Sequence, residues 1–513
     1  MSKTGKVWLV GAGPGDPELL TVKGRELLQR ATVVLYDALA HAALLEEANP
    51  NAQLVSVGKR LGQHPVPQDE ITQMLIDYAL QGHEVVRLKG GDPYLFARGA
   101  EEAEALVKAN IPFGVVPGIS SPVGTSTYAG FALTHRDMSS SVTFVTGTDK
   151  HGEQLTADAW ARLATSADTL CILMGMRRIE GITEALILGG RGAQTPAAVI
   201  QWGARPEQRV LVATLGTLAA RVREAGLSNP SVIVVGDVVT LRETLRWYDK
   251  GALFGKRLLL PRPLQQAKGT AKEIRRIGAV PVVYPLIAIE DPEDPSHVLG
   301  AVGRLSTYDW VILTSANGAE RLIAAIRKCG RDARAFGNAK IAVIGPKTAE
   351  PLLGFGLTAD LIAEEHVAEG LLKDLRAQGE MRRVLLFRAA EARELLPDSL
   401  RDAGVEVDVV AAYRTRRLGA VEAEPLRQMF LERSLDAVLV TSSSMATSLV
   451  EALGADAKSL LGQVCVASIG PVTTNTLEQL GVTVHVTATK YTVSGLLSAL
   501  ELTFGKQAGE KSC

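Results

Sequence analysis

Residues 6–31, KVWLVGAGPGDPELLTVKGRELLQRA, decide the fold of the first half of this chain. A short run of Val, Trp and Leu enters a glycine-rich turn, and an amphipathic stretch leaves it, as in the strand, turn and helix of an α/β protein. Asp16 reads as the N-cap and Pro17 as the first helical residue, with Leu19, Leu20, Leu27, Leu28 and Ala31 on one face. The alternation continues to about residue 245. Further strands are expected at 32–36, 54–57, 84–88, 142–146, 169–173, 197–201 and 231–235. At 246–256, RWYDKGALFGK breaks the pattern and reads as a linker.

Beyond it lies an internal repeat. LLLPR at 258 returns as VLLFR at 384, TSANGAERL at 314 as TSSSMATSL at 441, AVIGPKTAEPLLGFGL at 342 as ASIGPVTTNTLEQLGV at 467, and EGLLKDL at 369 as SGLLSAL at 494. The offsets stay between 125 and 127 residues. A period this long means two duplicated α/β lobes rather than a solenoid, and paired lobes leave a cleft. Each anchor sets small polar residues at a strand end, among them Ser315, Ser442 and Thr473. They read either as caps of the following helices or as ligand contacts at the edges of open sheets.

The 513 residues suit about three or four compact units. Lys plus Arg is 55 against 56 Asp plus Glu, so the net charge of −1 offers no general attraction to nucleic acid or membrane. Any basic site must be local. With 46% hydrophobic and 22% charged residues the chain reads as an ordinary globular protein, and 5% aromatics argue against base-stacking platforms. Cys171, Cys329, Cys465 and Cys513 lie far apart without a CxxC pair, and His64 and His135 lack a second ligand at metal spacing. Neither a disulfide framework nor a metal site is expected. The opening residues leave no room for a signal-peptide core, and no apolar run approaches the roughly 18 residues of a membrane span. A soluble, cytoplasmic protein is expected.

GAGPGDP (11–17) could open a dinucleotide-binding unit, because Asp37 ends the next strand 22 residues beyond Gly15. The spacing, however, is G-x-G-x-G, and Pro14 removes a backbone N–H that would cradle a pyrophosphate. A nicotinamide-dependent oxidoreductase also leaves RLKGGDPYLFARGAEE (87–102) and VVPGISSPVG (115–124) unexplained. Three such strand-end loops would converge along one sheet edge and bring backbone close to a ligand from several sides. Asp92 before Pro93 repeats the Asp16-Pro17 pair, so it also reads as a cap.

GAGPGDPELLTVKG, VVLYDAL, VGKRLGQHPVPQDEI, RLKGGDPYLFARGAEEAE, VVPGISSPVG and YAGFALTHRD together resemble the uroporphyrinogen-III C-methyltransferases of the tetrapyrrole methylase class, over residues 5–240. The resemblance implies S-adenosylmethionine held between two α/β subdomains by Pro14, Gly90, Gly91, Asp92, Leu95, Ser120, Ser121, Met174 and Gly203. Ser120-Ser121 stands where many relatives carry Thr-Ala, and Tyr94 where they carry Phe. It implies two methyl transfers to pyrrole carbons of uroporphyrinogen III, giving precorrin-2, with Asp37 as proton acceptor and Lys59 as donor. Without the family, Asp37 and Lys59 read as a surface pair. For a polycarboxylate substrate Arg60, His64 and Arg136 are candidate contacts, with Lys59, Arg87, Lys89, Arg98 and His135 as further cations.

In the second half, AYRT (412–415), SIGPVT (468–473) and KYTVSGLLSAL (490–500) resemble uroporphyrinogen-III synthase over 255–503. The resemblance implies cyclisation of hydroxymethylbilane without a cofactor, in a cleft between lobes joined by 281–290 and 406–415. Tyr413 is the candidate proton donor, or else a hinge tyrosine, and Ser315, Ser442 and Thr473 are candidate substrate contacts.

The expected fold class is α/β: an N-terminal two-subdomain tetrapyrrole methylase fold plus a C-terminal bilobal α/β synthase with duplicated lobes. The expected domains are 1–245 (subdomains about 1–118 and 119–245), a linker at 246–255, and 256–505 (lobe 1 about 256–285 and 414–505, lobe 2 about 288–412). The expected partners are small-molecule tetrapyrroles, not nucleic acid or membrane, with a homodimer formed through the methyltransferase half. The rival reading makes the C-terminal lobes a non-catalytic ligand-sensing module. Whether the product feeds siroheme, cobalamin or another branch is left open.

Overall fold

The computed structural model describes residues 4–38, 40–58, 66–147 and 155–510. Lys59, Arg60 and His64 lie outside the described residues. The first half builds two five-stranded sheets. One is wholly parallel, in the order Gln53–Ser56, Val33–Tyr36, Glu84–Lys89, Lys6–Gly11, Phe113–Val116. All its strands therefore end at one edge, which collects the residues that follow them: Asp37, the first glycine turn, the second glycine turn and the loop at 117–120. The other sheet is ordered Val142–Thr146, Thr169–Leu173, Ser231–Val235, Pro196–Gln201, Arg209–Thr214. Ser231–Val235 runs against both of its neighbours, so the strands ending at Thr146, Leu173 and Gln201 also share an edge.

Three local readings need correction. The first α-helix begins at Val22, not at Pro17. Asp16 caps only a single 3-10 turn, Pro17–Leu19, by accepting from the Glu18 amide at 2.8 Å. Leu20 then turns extended, and Thr21 caps the true helix through the Gly24 amide at 3.1 Å. Two edge strands, Phe113–Val116 and Arg209–Thr214, escaped the alternation. The first contains Gly114, whose missing side chain makes room for the Trp8 ring: a Cβ there would lie 2.3 Å from Trp8 Cζ3.

The segment at 246–255 is a packed joint rather than a free linker. Tyr248 stacks edge-on against Tyr128 and Phe254, with centroids 4.6 and 5.4 Å apart, and Trp247 Nε1 donates to the Thr127 carbonyl at 2.9 Å. Buried Asp249 accepts from Arg242 at 2.6 Å and from Arg246 at 2.7 Å. Across the joint, Glu18 pairs with Lys272 at 2.9 Å and Arg276 at 2.7 Å, tying the first glycine turn to the helix Leu264–Arg276 of the second half.

The second half exchanges strands between its repeats. One sheet runs Val280–Val283, Arg257–Leu260, Ala437–Val440, Cys465–Ser468, Val486–Thr487. The other runs Ile287–Glu290, Glu406–Arg417, Arg383–Ala389, Trp310–Leu313, Lys340–Val343, Leu361–Ile362. Each joins the first two strands of one repeat to the last three of the other, and the second adds Ile287–Glu290 at its edge. Ile287–Glu290 pairs antiparallel with the end of Glu406–Arg417, so the two connecting segments brace each other. Apolar clusters cover both faces of all four sheets, the arrangement a parallel-rich sheet requires.

Candidate functional site

The glycines of the first half let three loops touch through backbone. Gly13 and Gly91 exchange two hydrogen bonds, the Gly13 amide to the Gly91 carbonyl at 3.2 Å and the Gly91 amide to the Gly13 carbonyl at 2.8 Å. A Cβ on Gly11 would stand 2.5 Å from the Gly118 Cα, and one on Gly118 would stand 2.2 Å from the Gly91 oxygen. Only glycine permits this approach. Asp92 locks it: one carboxylate oxygen accepts from the Tyr94 amide at 2.8 Å and the other from the Gly118 amide at 3.0 Å. Its cap geometry and its place in the loop cluster are the same fact.

The second subdomain joins this edge. Pro14 packs over Gly124 in the helix Ser121–Ala129, where a Cβ would fall 2.5 Å from its Cγ. Gly203 sits against Thr125 of that helix in the same way, at 2.4 Å. Ser120 is the N-cap residue, yet its hydroxyl makes no capping bond, while the Ser121 carbonyl accepts from Thr125 Oγ1 at 2.8 Å. Gly90 and Leu95 are half-buried in the second turn. Met174 follows the strand Thr169–Leu173 and is exposed, with φ at 55°. Among the described residues, Phe96, Arg98, Trp202 and Ala204 also hold non-glycine positive φ in these loops. Such backbone costs about 1–3 kcal/mol per residue and collects where a ligand is gripped. Trp202 and Ala204 carried no sequence signal beyond flanking Gly203.

Behind the loops lies a buried charge cluster. Arg87 Nη2 donates to Asp37 Oδ1 at 2.6 Å, and Arg87 Nε donates to Glu102 Oε1 at 3.2 Å. Lys89 Nζ and Gln68 Nε2 reach the same Glu102 oxygen, each at 2.9 Å, and Glu102 Oε2 is buried without a hydrogen-bond partner among the described residues. Burial, reinforced by Arg87, holds the Lys89 ammonium below the ordinary lysine range against the pull of Glu102 and Asp37. Arg87 and Lys89 are each only 2% exposed, so they serve this cluster rather than an open substrate surface. Arg98 is tied to Glu101 at 2.5 Å, His135 Nδ1 accepts from the Asp137 amide at 3.2 Å, and Arg136 is exposed beside it.

In the second half a cavity of about 640 Å³ opens between the lobes, beside the connecting strands. Pro263, Tyr284, Ile287, Asn317, Arg321 and Glu422 are among its walls. Tyr413, Ser315, Ser442 and Thr473 do not line it. Tyr413 is buried in the core of one lobe and shares a 2.9 Å hydrogen bond with Ser315 Oγ. Ser315 caps the helix Ala316–Lys328 through the Gly318 amide at 3.0 Å, and Ser442 caps Ser443–Leu453 through the Met445 amide at 3.2 Å. Thr473 is buried within the helix Pro471–Gln479. The cavity residues Tyr284 and Arg321 were missed because one lies in a connecting strand's run-in and the other mid-helix, away from any strand end.

Among the described residues no cluster of His, Cys, Asp and Glu could hold a metal ion, and no helix is long and apolar enough to cross a membrane. Two family patterns divide the chain: "Tetrapyrrole (Corrin/Porphyrin) Methylases" matches residues 6–219, and "Uroporphyrinogen-III synthase HemD" matches 268–498. The "Porphyrin biosynthesis protein HemD" of Ruminiclostridium josui is 35% identical over 500 residues, covering 97% of either chain. A "Siroheme synthase" of Pseudomonas fluorescens (strain Pf0-1) is 51% identical over 249 residues, 48% of this chain and 53% of its own. The chain thus spans nearly all of the first relative and about half the length of the second. A solved uroporphyrin-III C-methyltransferase from Thermus thermophilus, complexed with S-adenosyl homocysteine, is 36% identical over 46% of this chain and 93% of its own, with a TM-score of 0.40.

Proposed function

We propose, for a chain that belongs to the tetrapyrrole methylases in its first half and to the uroporphyrinogen-III synthases in its second, that residues 256–505 close hydroxymethylbilane to uroporphyrinogen III and residues 1–245 methylate that product twice to precorrin-2. The chain is a bifunctional enzyme of tetrapyrrole biosynthesis, a methyltransferase joined to a cyclising synthase. S-Adenosylmethionine, the donor its family uses, supplies an activated methyl group on sulfonium. The bare backbone of the glycine turns, the uncapped Ser120 hydroxyl and exposed Met174 fit such a ligand. Loops locked by Asp92 would hold it, and a fixed donor would remove much of the entropic part of the barrier.

The observation that carries the reading is the state of Asp37. Arg87 pins its Oδ1, while Oδ2 has no partner among the described residues, at the same sheet edge as the glycine loops. A carboxylate fixed through one oxygen at this edge is set to take the proton that an alkylated pyrrole must lose. Lys59 is proposed as the matching donor, and Arg60, His64 and Arg136 as contacts for substrate carboxylates. In the other half Tyr413 remains the proposed donor; its hydroxyl shares a hydrogen bond with Ser315, two residues before cavity-lining Asn317.

The test is incubation of the chain with hydroxymethylbilane and S-adenosylmethionine. Asp37→Asn should lower methylation by about 10²–10⁴-fold and leave uroporphyrinogen III formation intact; loss of both would contradict the division of labour. A homodimer through the methyltransferase half is proposed on the outer edge of Arg209–Thr214, which pairs with no further strand among the described residues and exposes Val212. Sedimentation of residues' full chain at monomer mass would remove it. The free thiols of Cys171, Cys329 and Cys465 support a reducing, cytoplasmic setting.

A further inference from the structure

The repeat places an arginine at the end of the first strand of each copy, Arg262 and Arg388, 126 residues apart. The two have different surroundings. Arg388 is 5% exposed, and its guanidinium is spent: it donates to the carbonyls of Ala392 at 3.1 Å and Arg393 at 2.6 Å and pairs with Glu394. Arg262 has no such set. Among the described residues its Nε is buried without an acceptor, and the side-chain hydrogen bond it makes is a 3.5 Å contact from Nη1 to the Gln266 carbonyl. Among the described residues no carboxylate opposes the desolvation that lowers its affinity for its proton.

The cause is written in the repeat. The position matching Glu394 is Lys268, so the acid that neutralises one arginine is replaced by a cation beyond the other. A half-buried guanidinium without its anion is a costly arrangement for structure alone. Arg262 also adjoins the cleft, because Pro263, Leu264 and Gln266 form part of the wall of the 640 Å³ cavity. Of the cleft's charged residues, Arg321 pairs with Asp291 and Glu422 accepts from Arg416 at 2.6 Å, while Glu320 has no ion pair among the described residues, so no wall cation is left over for an anionic ligand.

We propose that Arg262 is the carboxylate anchor of the synthase half, gripping one acetate or propionate side chain of the linear tetrapyrrole with its planar fork. Arg388 is its structural counterpart, converted by Glu394 into a brace for the loop after its strand. The proposal rests on the synthase activity described above. It makes Arg262 a binding residue with no part in the proton transfers.

The experiment uses the full chain and follows hydroxymethylbilane turnover in wild type, Arg262→Met, Arg262→Lys and Arg388→Met. Turnover by wild type establishes the synthase reading; no turnover there sinks that reading before Arg262 is reached. Given turnover, Arg262→Met should raise KM about 10- to 100-fold with kcat within about threefold, since one charge-assisted contact is lost before chemistry. Arg262→Lys should fall between, keeping charge without the fork. Arg388→Met should lower the melting temperature and leave KM in place. Thermal melts and methyl transfer by the first half report that Arg262 variants are folded. An unchanged KM in folded Arg262→Met, or a loss confined to kcat, overturns the anchor; if Met at 262 does not fold, a wild-type KM in Arg262→Lys does the same.

Discussion

Asp37, Arg87, Glu102 and Lys89 form one electrostatic unit, in which a single buried carboxylate, Glu102, serves two buried cations. Its removal strands Lys89 and leaves Arg87 with Asp37 alone. Glu102→Ala is expected to destabilise the first half by about 3–5 kcal/mol, read as a lower urea midpoint, and to slow methylation through the loosened Arg87. A midpoint within about 1 kcal/mol of wild type would mean that water compensates the cluster. In the sequence these were only charged residues close to motifs. Arg87 and Lys89 alternate with apolar neighbours on a strand, and nothing local distinguishes a cation aimed at substrate from one aimed at an acid fifteen or thirteen residues further along the chain. Asp37 was legible by position, but its partner was not: the carboxylate meets Arg87, fifty residues away.

At the scale of elements, the glycine turns were legible because their requirement is local. A strand that must end in tight backbone contact calls for Gly11, Gly91 and Gly118 wherever the rest of the chain lies. Gly11→Ala is expected to weaken S-adenosylmethionine binding by about 10–100-fold, from the 1–3 kcal/mol typical of overpacking, since every atom its Cβ would meet is backbone. Titration calorimetry measures it, and an unchanged affinity would show that the three loops can part without cost to the ligand. The strand-end hydroxyls of the second half were less legible. Capping and ligand binding call for the same Ser and Thr at the same places, and Ser315 and Ser442 do cap their helices, their Oγ atoms accepting from amides. The helix start moved from Pro17 to Val22 for a related reason, since two capping residues, Asp16 and Thr21, compete within one short stretch and the extended Leu20 separates them.

At the scale of the whole molecule, the joint between halves has a pH response. His41 lies where Arg205 of the first half and Arg275 of the second both act on it; burial first, then those two charges, pull its pKa down to about 4. The native state thus keeps His41 neutral, with Nδ1 accepting from the Ala43 amide at 3.1 Å, while the unfolded chain binds a proton below its ordinary 6.5. Stability therefore falls as pH drops from about 6.5 toward 4. His41→Asn keeps a cap and removes this titration, so the loss of melting temperature between pH 7 and pH 5 should shrink; an equal loss would clear His41 of the effect. Alternation, glycine spacing and the repeat are relations among residues near in sequence or copied at fixed offset, and by themselves they determined four α/β units in two pairs with active edges at strand ends. Burial and charge pairing are relations among residues brought together only by folding. They decided that 246–255 is a packed joint, that Arg87 holds Asp37, that the repeats exchange strands, and that of two equivalent arginines one is neutralised by an acid and the other is not.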